Sequence, residues 1–240
     1  MIVGEEGWVK PKKILIILAH PDDPEFFCGA TIARWVKYGH YVVECLFTRG
    51  DKGSHDPAVK PLELAKIREA EQKAAARVLG VEEVNFLNYQ DGYLVPSLDA
   101  RRDVIRVVRK EKPDIVVTSD PTNLFTRPGS INHPDHRAAG QIVVDAVFPG
   151  VVSPHYFPEL IQEGYQPHVL KEIWLSIPAN PNVTLDVTDF WDLKIHALWE
   201  HRTQIGNPVE LEKRMRERRT PLSLPDAPRF EEKFYRIVFP

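Results

Sequence analysis

A continuous aliphatic run near the start of this 240-residue chain constrains its fold more than any other feature. Residues 14–19 are all apolar, which is typical of a strand covered on both faces of a parallel sheet. The run ends at the sequence His-Pro-Asp-Asp-Pro, whose two prolines lack the N–H group that a continuing strand needs. Residues 114–119 carry a second apolar run, which we also predict to be a buried strand.

Helical segments separate the predicted strands. Residues 61–79 are rich in Ala, Glu, Lys, Arg and Leu, begin with proline and are followed by Gly80, as is typical of a complete helix. The other predicted helices are residues 26–38, 98–110 and 138–148, and the other predicted strands of this part of the chain are residues 41–48 and 84–87. Strands that alternate with helices predict a Rossmann-like, doubly wound α/β fold with a mostly parallel sheet.

The alternation fades in the C-terminal part of the chain, where residues 149–240 contain 11 of the 21 prolines. We expect one domain over residues 1–240, in which residues 1–148 form the α/β core and the remainder is an irregular, proline-rich C-terminal extension. This extension could cover a crevice of the core or contact a second copy of the chain in a homo-oligomer. Further strands are predicted at residues 172–177, 183–187 and 234–239.

Composition and charge argue against several classes of function. The 31 basic and 34 acidic residues give a net charge of −3, so the chain lacks the basic excess of most nucleic-acid-binding proteins. No apolar run approaches the roughly 20 residues that span a bilayer, and the N-terminus lacks the apolar segment of a signal peptide. Cys28 and Cys45 are too few for a disulfide scaffold and are expected to be buried packing residues. These features predict a cytoplasmic protein without a membrane span.

Two short polar motifs follow buried strands of the predicted sheet. The first is His20-Pro-Asp-Asp23, and the second is His133-Pro-Asp-His136. Ligands of open α/β sheets bind beyond the carboxyl ends of the strands, so we expect the two motifs to meet in one crevice. Each motif alone is equally well explained as a polar turn. Together they form the nitrogen and oxygen donor set that suits zinc, with three protein ligands and an open position for water.

Further segments accompany these two motifs. The complete set is Ala19-His20-Pro21-Asp22-Asp23, Thr48-x-Gly50, Arg68-Glu69-Ala70 through Leu79-Gly80, His133-Pro134-Asp135-His136-Arg137-Ala138-Ala139-Gly140 and, more loosely, Lys194-x-x-Ala197-x-x-x-His201-x-x-Gln204. With this set the chain resembles the PIG-L/LmbE-like family of zinc-dependent de-N-acetylases over residues 13–204. The resemblance implies a hydrolase that removes the N-acetyl group from a small N-acetylglucosaminyl substrate and releases acetate and a free amine.

The resemblance implies a role for most residues of the two motifs. His20, Asp23 and His136 are expected to bind one Zn²⁺ ion per chain, although Fe(II), Mn(II) and Co(II) occupy similar sites. Asp22 matches the general base that activates water. His133 matches the residue that stabilises the oxyanion or protonates the departing amine, and a cationic imidazole suits both tasks.

Three further residues receive supporting roles from the same resemblance. Asp135 is expected to hold His133 in its protonated orientation. Arg68 is expected to bind the substrate, and the alternative is a surface arginine paired with a glutamate of its own helix. Asp91 is expected to lie near the sugar hydroxyl groups, and the alternative is an ordinary Asp-Gly turn.

The chain departs from the family pattern at two positions. Pro24 follows the first motif where the family usually has glutamate, and Glu25 comes one residue later. Ile131 lies where some members have a tyrosine that assists the oxyanion. If a hydroxyl donor is needed, Tyr93 and Tyr156 are the candidates.

Three other functions stay open from the sequence. One is a metal-dependent amidase that cleaves a thiol conjugate or a longer acyl amide. Another is a nucleotide-binding or cofactor-binding module, which is disfavoured because no Gly-x-Gly-x-x-Gly sequence follows the first strand. The third is a metal-binding protein that has lost catalysis, and the presence of both Asp22 and His133 argues against it.

Overall fold

A seven-stranded sheet with helices packed on both faces forms the centre of the molecule. The computed structural model describes residues 6–127 and 129–240, and none of the helices in this described part is long and apolar enough to cross a membrane. The strands are β1 (Lys13–Leu18), β2 (Tyr41–Thr48), β3 (Glu83–Tyr89), β4 (Ile115–Ser119), β5 (Phe125–Arg127), β6 (Ser130–Ile131), β7 (Glu172–Ser176), β8 (Val183–Asp186) and β9 (Glu231–Val238). The helices are α1 (Asp23–Lys37), α2 (Pro61–Leu79), α3 (Leu98–Glu111), α4 (Pro134–Asp145), α5 (Glu159–Gln162), α6 (Trp191–Trp199), α7 (Arg202–Ile205) and α8 (Pro208–Arg216).

The strand order confirms the doubly wound α/β fold that the sequence predicts. The order across the sheet is β3-β2-β1-β4-β7-β9-β8. β1 pairs in parallel with both β2 and β4, and β3 and β7 extend the parallel part on either side. Because the chain proceeds outward from β1 in one direction and from β4 in the other, a crevice opens between the carboxyl ends of these two strands. The His20 motif follows β1, and the segment after β4 leads to the His133 motif.

Strand β1 is covered on both faces, as its apolar run predicts. Ile14, Ile16 and Leu18 pack into one hydrophobic cluster together with residues of α1, α2, α6 and α8. Leu15 and Ile17 point to the other face and join a second cluster with residues of α3 and α4. Burial on both faces fixes the end of β1 within the sheet and therefore the position of the motif that follows it.

Two helices begin three to four residues before their predicted starts. α1 begins at Asp23 and α4 begins at Pro134. Pro24 and Pro134 occupy the first turns of these helices, where a proline lacks only an N–H group that has no partner within the helix. As a consequence, Asp23 and His136 both lie in the first turn of a helix that faces the crevice.

The C-terminal region is more regular than its proline content indicates. It supplies β7, β8 and β9 to the sheet, close to the positions predicted for strands. β7 is parallel to β4, whereas β9 is antiparallel to both β7 and β8. This region therefore extends the sheet of the core.

The C-terminal region also supports an interruption of helix α1. Cys28 has non-helical dihedral angles, with φ −149° and ψ 23°. Lys194 of α6 donates from Nζ to the carbonyl oxygen of Phe26 at 2.9 Å. The carboxylate of Glu232 in β9 accepts hydrogen bonds from two backbone N–H groups beyond the interruption, at 3.3 and 2.7 Å, as an N-cap side chain would. These two side chains thus satisfy backbone groups around the break in α1.

Candidate active site

The structure brings the three predicted metal ligands together at the crevice between β1 and β4. Nδ1 of His20 lies 3.3 Å from Nε2 of His136. The carboxylate of Asp23 contacts both rings, with Oδ2 at 3.5 Å from His20 Nδ1 and Oδ1 at 3.1 Å from His136 Nε2. Burial alone would raise the pKa of Asp23, but the two histidines outweigh burial and lower this pKa well below its usual range. The site therefore holds a carboxylate between two imidazoles.

These separations fit a single divalent metal ion. Ligand atoms around a tetrahedral zinc ion, with bonds of about 2.0–2.1 Å, lie about 3.3 Å apart. Two other groups in the same place also offer ligand atoms within 4.8 Å of one another, namely His20 with His133 and His136, and His20 with Asp91 and Asp135. We favour the set with Asp23, because its carboxylate contacts both imidazoles directly.

Hydrogen bonds fix which ring nitrogen of each histidine faces this site. Nε2 of His20 lies 3.2 Å from the carboxylate of Asp135 and 3.1 Å from that of Asp91, so Nδ1 is the nitrogen that faces the other ligands. Nδ1 of His136 lies 3.0 Å from Oδ1 of Asn132, so His136 presents Nε2. Histidines that bind metal ions usually donate their second N–H group in this way, which fixes the tautomer.

Asp22 lies beside the predicted ligands in a strained backbone conformation. Its φ of 90° is unusual for a residue other than glycine, and Oε1 of Gln72 accepts its N–H group at 2.8 Å. Oδ2 of its carboxylate lies 3.4 Å from Nη2 of Arg68. Burial raises the pKa of Asp22 to about 6, although Arg68 opposes the increase. A carboxylate with a pKa near neutrality is suited to accept a proton at physiological pH.

Arg68 is buried and holds the turn that carries Asp22. Its guanidinium group donates to the carbonyl oxygen of Pro21 at 2.7 Å and to that of Gly50 at 3.1 Å. The alternative of a surface arginine paired on its own helix is therefore wrong. Gly50 has φ 66°, and a Cβ atom at this position would overlap the guanidinium group, so the position requires glycine.

The carboxylate of Asp135 contacts His20 and not His133, which corrects the sequence-based assignment. Besides its contact with His20, Oδ2 of Asp135 accepts the N–H group of Gly92 at 2.7 Å, and Oδ1 accepts that of Leu94 at 3.3 Å. Hydrogen bonds from the loop after β3 thus hold this carboxylate beside His20 and not beside His133, its neighbour in the motif. Its role in this arrangement is to orient His20.

His133 caps the N-terminus of α4, and its ring lies beside the rings of His20 and His136. Nδ1 accepts the backbone N–H group of Asp135 at 3.2 Å. The ring centroids are 4.7 Å from His20 and 5.2 Å from His136. Burial lowers the pKa of His133, and the two neighbouring histidines lower it further. These influences favour the neutral imidazole, whereas the resemblance implies a cationic one.

The site opens into a cavity of about 360 Å³. Asp91 lies in its lining and is more than a turn residue, because its carboxylate also accepts the N–H group of Lys52 at 3.2 Å. Tyr93 and Tyr156 are not among the described residues that line the cavity, and the side chain of Ile131 is exposed. The described lining consists of His20, Asp22, Asp23, Phe26, Phe27, Lys52, Gly53, Arg68, Asp91, His133, His136 and Gln204.

A larger cavity of about 680 Å³ lies elsewhere, between the end of α1 and the loop before β9. Its described lining includes Asp186 and Asp189 but no histidine. The smaller cavity is therefore the one in which ligand atoms for a metal converge.

A buried hydrogen-bond network behind the site was not predicted from the sequence. Nε2 of Gln72 donates to Glu25 at 3.0 Å and to Glu44 at 2.9 Å, while its Oε1 accepts the N–H group of Asp22. Nε2 of His201 lies 3.0 Å from Glu25. Burial raises the pKa of Glu25 to about 8 and also raises that of Glu44 well above its usual value. Both carboxyl groups therefore favour the protonated form.

Helical spacing carries a signal for some of the missed residues. Gln72 comes four residues after Arg68, so both lie on one face of α2. Asn132 comes four residues before His136 but lies outside α4, which begins at Pro134, so helical spacing gives no signal for it. Lys52 carries no comparable signal, because it lies in a turn whose path depends on the rest of the fold.

Comparisons with known proteins identify the family to which the chain belongs. The family described as PIG-L: GlcNAc-PI de-N-acetylase matches residues 15–147. The diacetylchitobiose deacetylase of Thermococcus kodakarensis is 34% identical over 199 residues, which cover 82% of this chain and 72% of the relative. The structure of N,N'-diacetylchitobiose deacetylase from Pyrococcus horikoshii has a TM-score of 0.84 at 32% identity, and covers 95% of this chain and 84% of that chain.

A more distant structure shares the fold alone. GalB, the 4-carboxy-2-hydroxymuconate hydratase of Pseudomonas putida, has a TM-score of 0.72 at 20% identity, and covers 95% of this chain and 97% of that chain. The family assignment depends instead on a match to more than half of the chain and on relatives that are more than 30% identical. The chain therefore belongs to the PIG-L family of GlcNAc-PI de-N-acetylases and is a deacetylase that hydrolyses an amide bond.

Proposed function

We propose that this protein is a zinc-dependent N-deacetylase that acts on a small N-acetylglucosaminyl compound and releases acetate and a free amine. The names of its relatives support an acetylated amino-sugar substrate, because two of them are diacetylchitobiose deacetylases. The observation that carries the proposal is the meeting of His20, Asp23 and His136 at separations of 3.1–3.5 Å, with Asp22 lining the same cavity.

In this proposal His20, Asp23 and His136 hold the zinc ion. A zinc ion bound there supplies a Lewis acid that polarises the amide carbonyl group and lowers the pKa of water. The protein orients the ligands, because Asp135 holds the ring of His20 and Asn132 holds that of His136. Similar nitrogen and oxygen donors also bind other divalent metals, so the choice of zinc is itself part of the proposal.

Asp22 is the proposed general base. Its carboxylate lines the cavity and accepts the proton of the water molecule that attacks the amide. Arg68 and Gln72 hold its turn from the same face of α2, one through the carbonyl oxygen of Pro21 and the other through the N–H group of Asp22. The base is thus held in one orientation before the substrate binds, which reduces the entropy lost in reaching the reactive geometry.

His133 is the proposed hydrogen-bond donor to the oxyanion. Its Nδ1 accepts a backbone hydrogen bond, so the neutral imidazole carries its proton on Nε2. That N–H group stabilises the negative charge that develops on the carbonyl oxygen, while the proton that Asp22 takes from water passes to the departing nitrogen. The role fits a residue that lies beside the ligands and lines the cavity.

The part of the cavity that would bind the sugar is polar. Lys52, Arg68, Asp91 and Gln204 line it and offer charged or amide groups to sugar hydroxyls. A volume of about 360 Å³ is near the lower end of the range of about 300–1,000 Å³ that is usual for small-molecule sites. Both features support a small amino-sugar compound as the substrate.

Metal analysis of the purified protein, together with a screen of acetylated amino sugars for free amine, tests this proposal. We expect one zinc ion per chain and equal amounts of acetate and amine. Asp22→Asn should retain zinc but lower kcat about 10²–10⁴-fold, whereas His136→Ala should lose zinc as well. Asp192→Asn, an exposed carboxylate outside the cavity, is the matched control. Full turnover by Asp22→Asn, or by metal-free protein, would contradict the proposal.

A further inference from the structure

Two adjacent phenylalanines form an apolar wall in the cavity beside the predicted metal ligands. Phe26 and Phe27 are the apolar members of its described lining, and the other lining residues are charged, polar or glycine. The ring of Phe27 stands edge-on to that of His136, with centroids 5.1 Å apart and planes at 85°. The hydrolytic roles proposed above use neither phenylalanine.

The segment that carries both phenylalanines is held in place by the C-terminal region. Helix α1 is interrupted at Cys28, directly after the pair, and Lys194 holds the carbonyl oxygen of Phe26. The apolar wall therefore belongs to a segment that is fixed by a buried side chain from the C-terminal region.

The polarity of the cavity matches the two ends of an N-acetyl amide. The carbonyl carbon of the amide carries a methyl group on one side and the nitrogen-linked sugar on the other. Lys52, Arg68 and Gln204 offer polar groups to the sugar, while the two phenyl rings offer the apolar surface that a methyl group gains by leaving water. A sugar hydroxyl group directed at the phenyl rings would lose its hydrogen bonds there, whereas a methyl group has none to lose.

We propose that Phe26 and Phe27 form the acyl subsite and that Phe27 restricts the acyl group to acetyl. The inference rests on the proposed deacetylase function and adds a determinant of its specificity. Because Phe27 packs edge-on against the ring of a predicted ligand, an amide carbonyl group held near that ligand would lie beside the phenyl ring. Additional methylene groups would overlap this ring.

A series of N-acyl glucosamines tests the proposal through acyl-length preference. The kcat/KM values for N-acetyl, N-propionyl and N-butyryl glucosamine are measured for wild type, Phe26→Ala, Phe27→Ala and Phe27→Leu. The exposed Phe125→Ala, outside the described lining, is the matched control. Each methylene buried contributes about 0.8 kcal/mol, so Phe27→Ala should raise the butyryl-to-acetyl ratio about 15-fold, while the control leaves it unchanged. Phe27→Leu keeps an apolar side chain, so it provides a smaller change if Phe27→Ala does not fold.

Binding of acyl hydroxamates gives a readout that needs neither the sugar nor turnover. Calorimetry with zinc-loaded protein compares acetohydroxamate with butyrohydroxamate. Wild type should bind acetohydroxamate more tightly, and Phe27→Ala should reverse the order. An unchanged acyl-length preference in the Phe26 and Phe27 variants would overturn the acyl subsite.

The two assays separate this inference from the proposed function. Deacetylation by wild type with no change of acyl preference in the variants would refute the acyl subsite and leave the deacetylase proposal in place. Hydroxamate preferences that shift as expected, in a protein that releases no acetate from any acetylated amino sugar, would refute the deacetylase proposal and support the subsite.

Discussion

Lys194→Met should lower the free energy of unfolding by about 3 kcal/mol, because it leaves the buried carboxylate of Glu232 without its cation. Nζ of Lys194 lies 2.5 Å from Oε1 of Glu232, and both residues are almost fully buried. Removing one partner of a buried ion pair costs about 3–5 kcal/mol. The lower end applies here, because the carboxylate keeps its hydrogen bonds from the N–H groups of Ala30 and Thr31. Methionine retains most of the aliphatic volume, so packing changes little.

Urea unfolding followed by tryptophan fluorescence measures this change. For a chain of this size about 3 kcal/mol corresponds to a fall in the melting temperature of about 6–12 °C. The double variant Lys194→Met with Glu232→Gln should recover at least half of the loss, because the neutral amide still accepts a backbone hydrogen bond but buries no unpaired charge. Arg216→Met, which breaks an exposed ion pair with Asp192, should cost less than about 1 kcal/mol. A loss below 1 kcal/mol for Lys194→Met, or a double variant less stable than the single one, would refute the reasoning.

Two further predictions concern the site itself. Asn132→Ala removes the partner of Nδ1 of His136 and should weaken zinc binding about 10–100-fold, measured by competition with a coloured chelator. Asn85→Ala is the control, because the side chain of Asn85 contacts Glu83, and it should leave zinc affinity unchanged. Equal zinc affinities for the two variants would contradict the argument that Asn132 orients His136. Gly50→Ala should lower both kcat and the melting temperature, because the new Cβ atom displaces Arg68 from Asp22. Gly39→Ala is the control, since Gly39 has a similar positive φ but open space around it, and it should lower only the melting temperature. A wild-type kcat for Gly50→Ala would refute the argument that Arg68 holds the turn of Asp22.

The sequence predicts the fold because its strands are marked by local apolar runs. Residues 14–19 read as a strand covered on both faces, and β1 is buried on both faces. The alternation of strands and helices is likewise a local pattern, and it determines that the sheet is mostly parallel. Helix starts are less well predicted, because Pro24 and Pro134 lie in segments whose pattern is that of a polar turn after a strand, although both prolines occupy the first turn of a helix.

The supporting contacts of the site are the part that sequence patterns do not predict. Gln72 bridges Glu25 and Glu44, and these carboxyl groups come from a helix and a strand that are distant in the sequence. A buried glutamate is stable only with a partner, and the identity of that partner depends on the packing of α2 against the sheet. The same reasoning applies to Asp135, whose partner is chosen by the loop after β3 and not by its neighbour in the motif.

The fold by itself does not determine the reaction, because a hydratase and deacetylases share it. Hydrolysis of an amide needs one group that takes a proton from water and passes it to the departing nitrogen, and another that stabilises the oxyanion, both beside the polarised carbonyl group. Asp22 and His133 come from different loops and line the same cavity. Asp22 is held by Gln72 of α2, whereas His133 is held by a backbone N–H group at the N-terminus of α4. Because each group is held independently, a change in one anchor should alter one of these two roles while the predicted ligands stay in place. The apolar wall of Phe26 and Phe27 has a third anchor, the buried Lys194 of α6. Acyl preference should therefore be able to change without loss of Asp22 or His133.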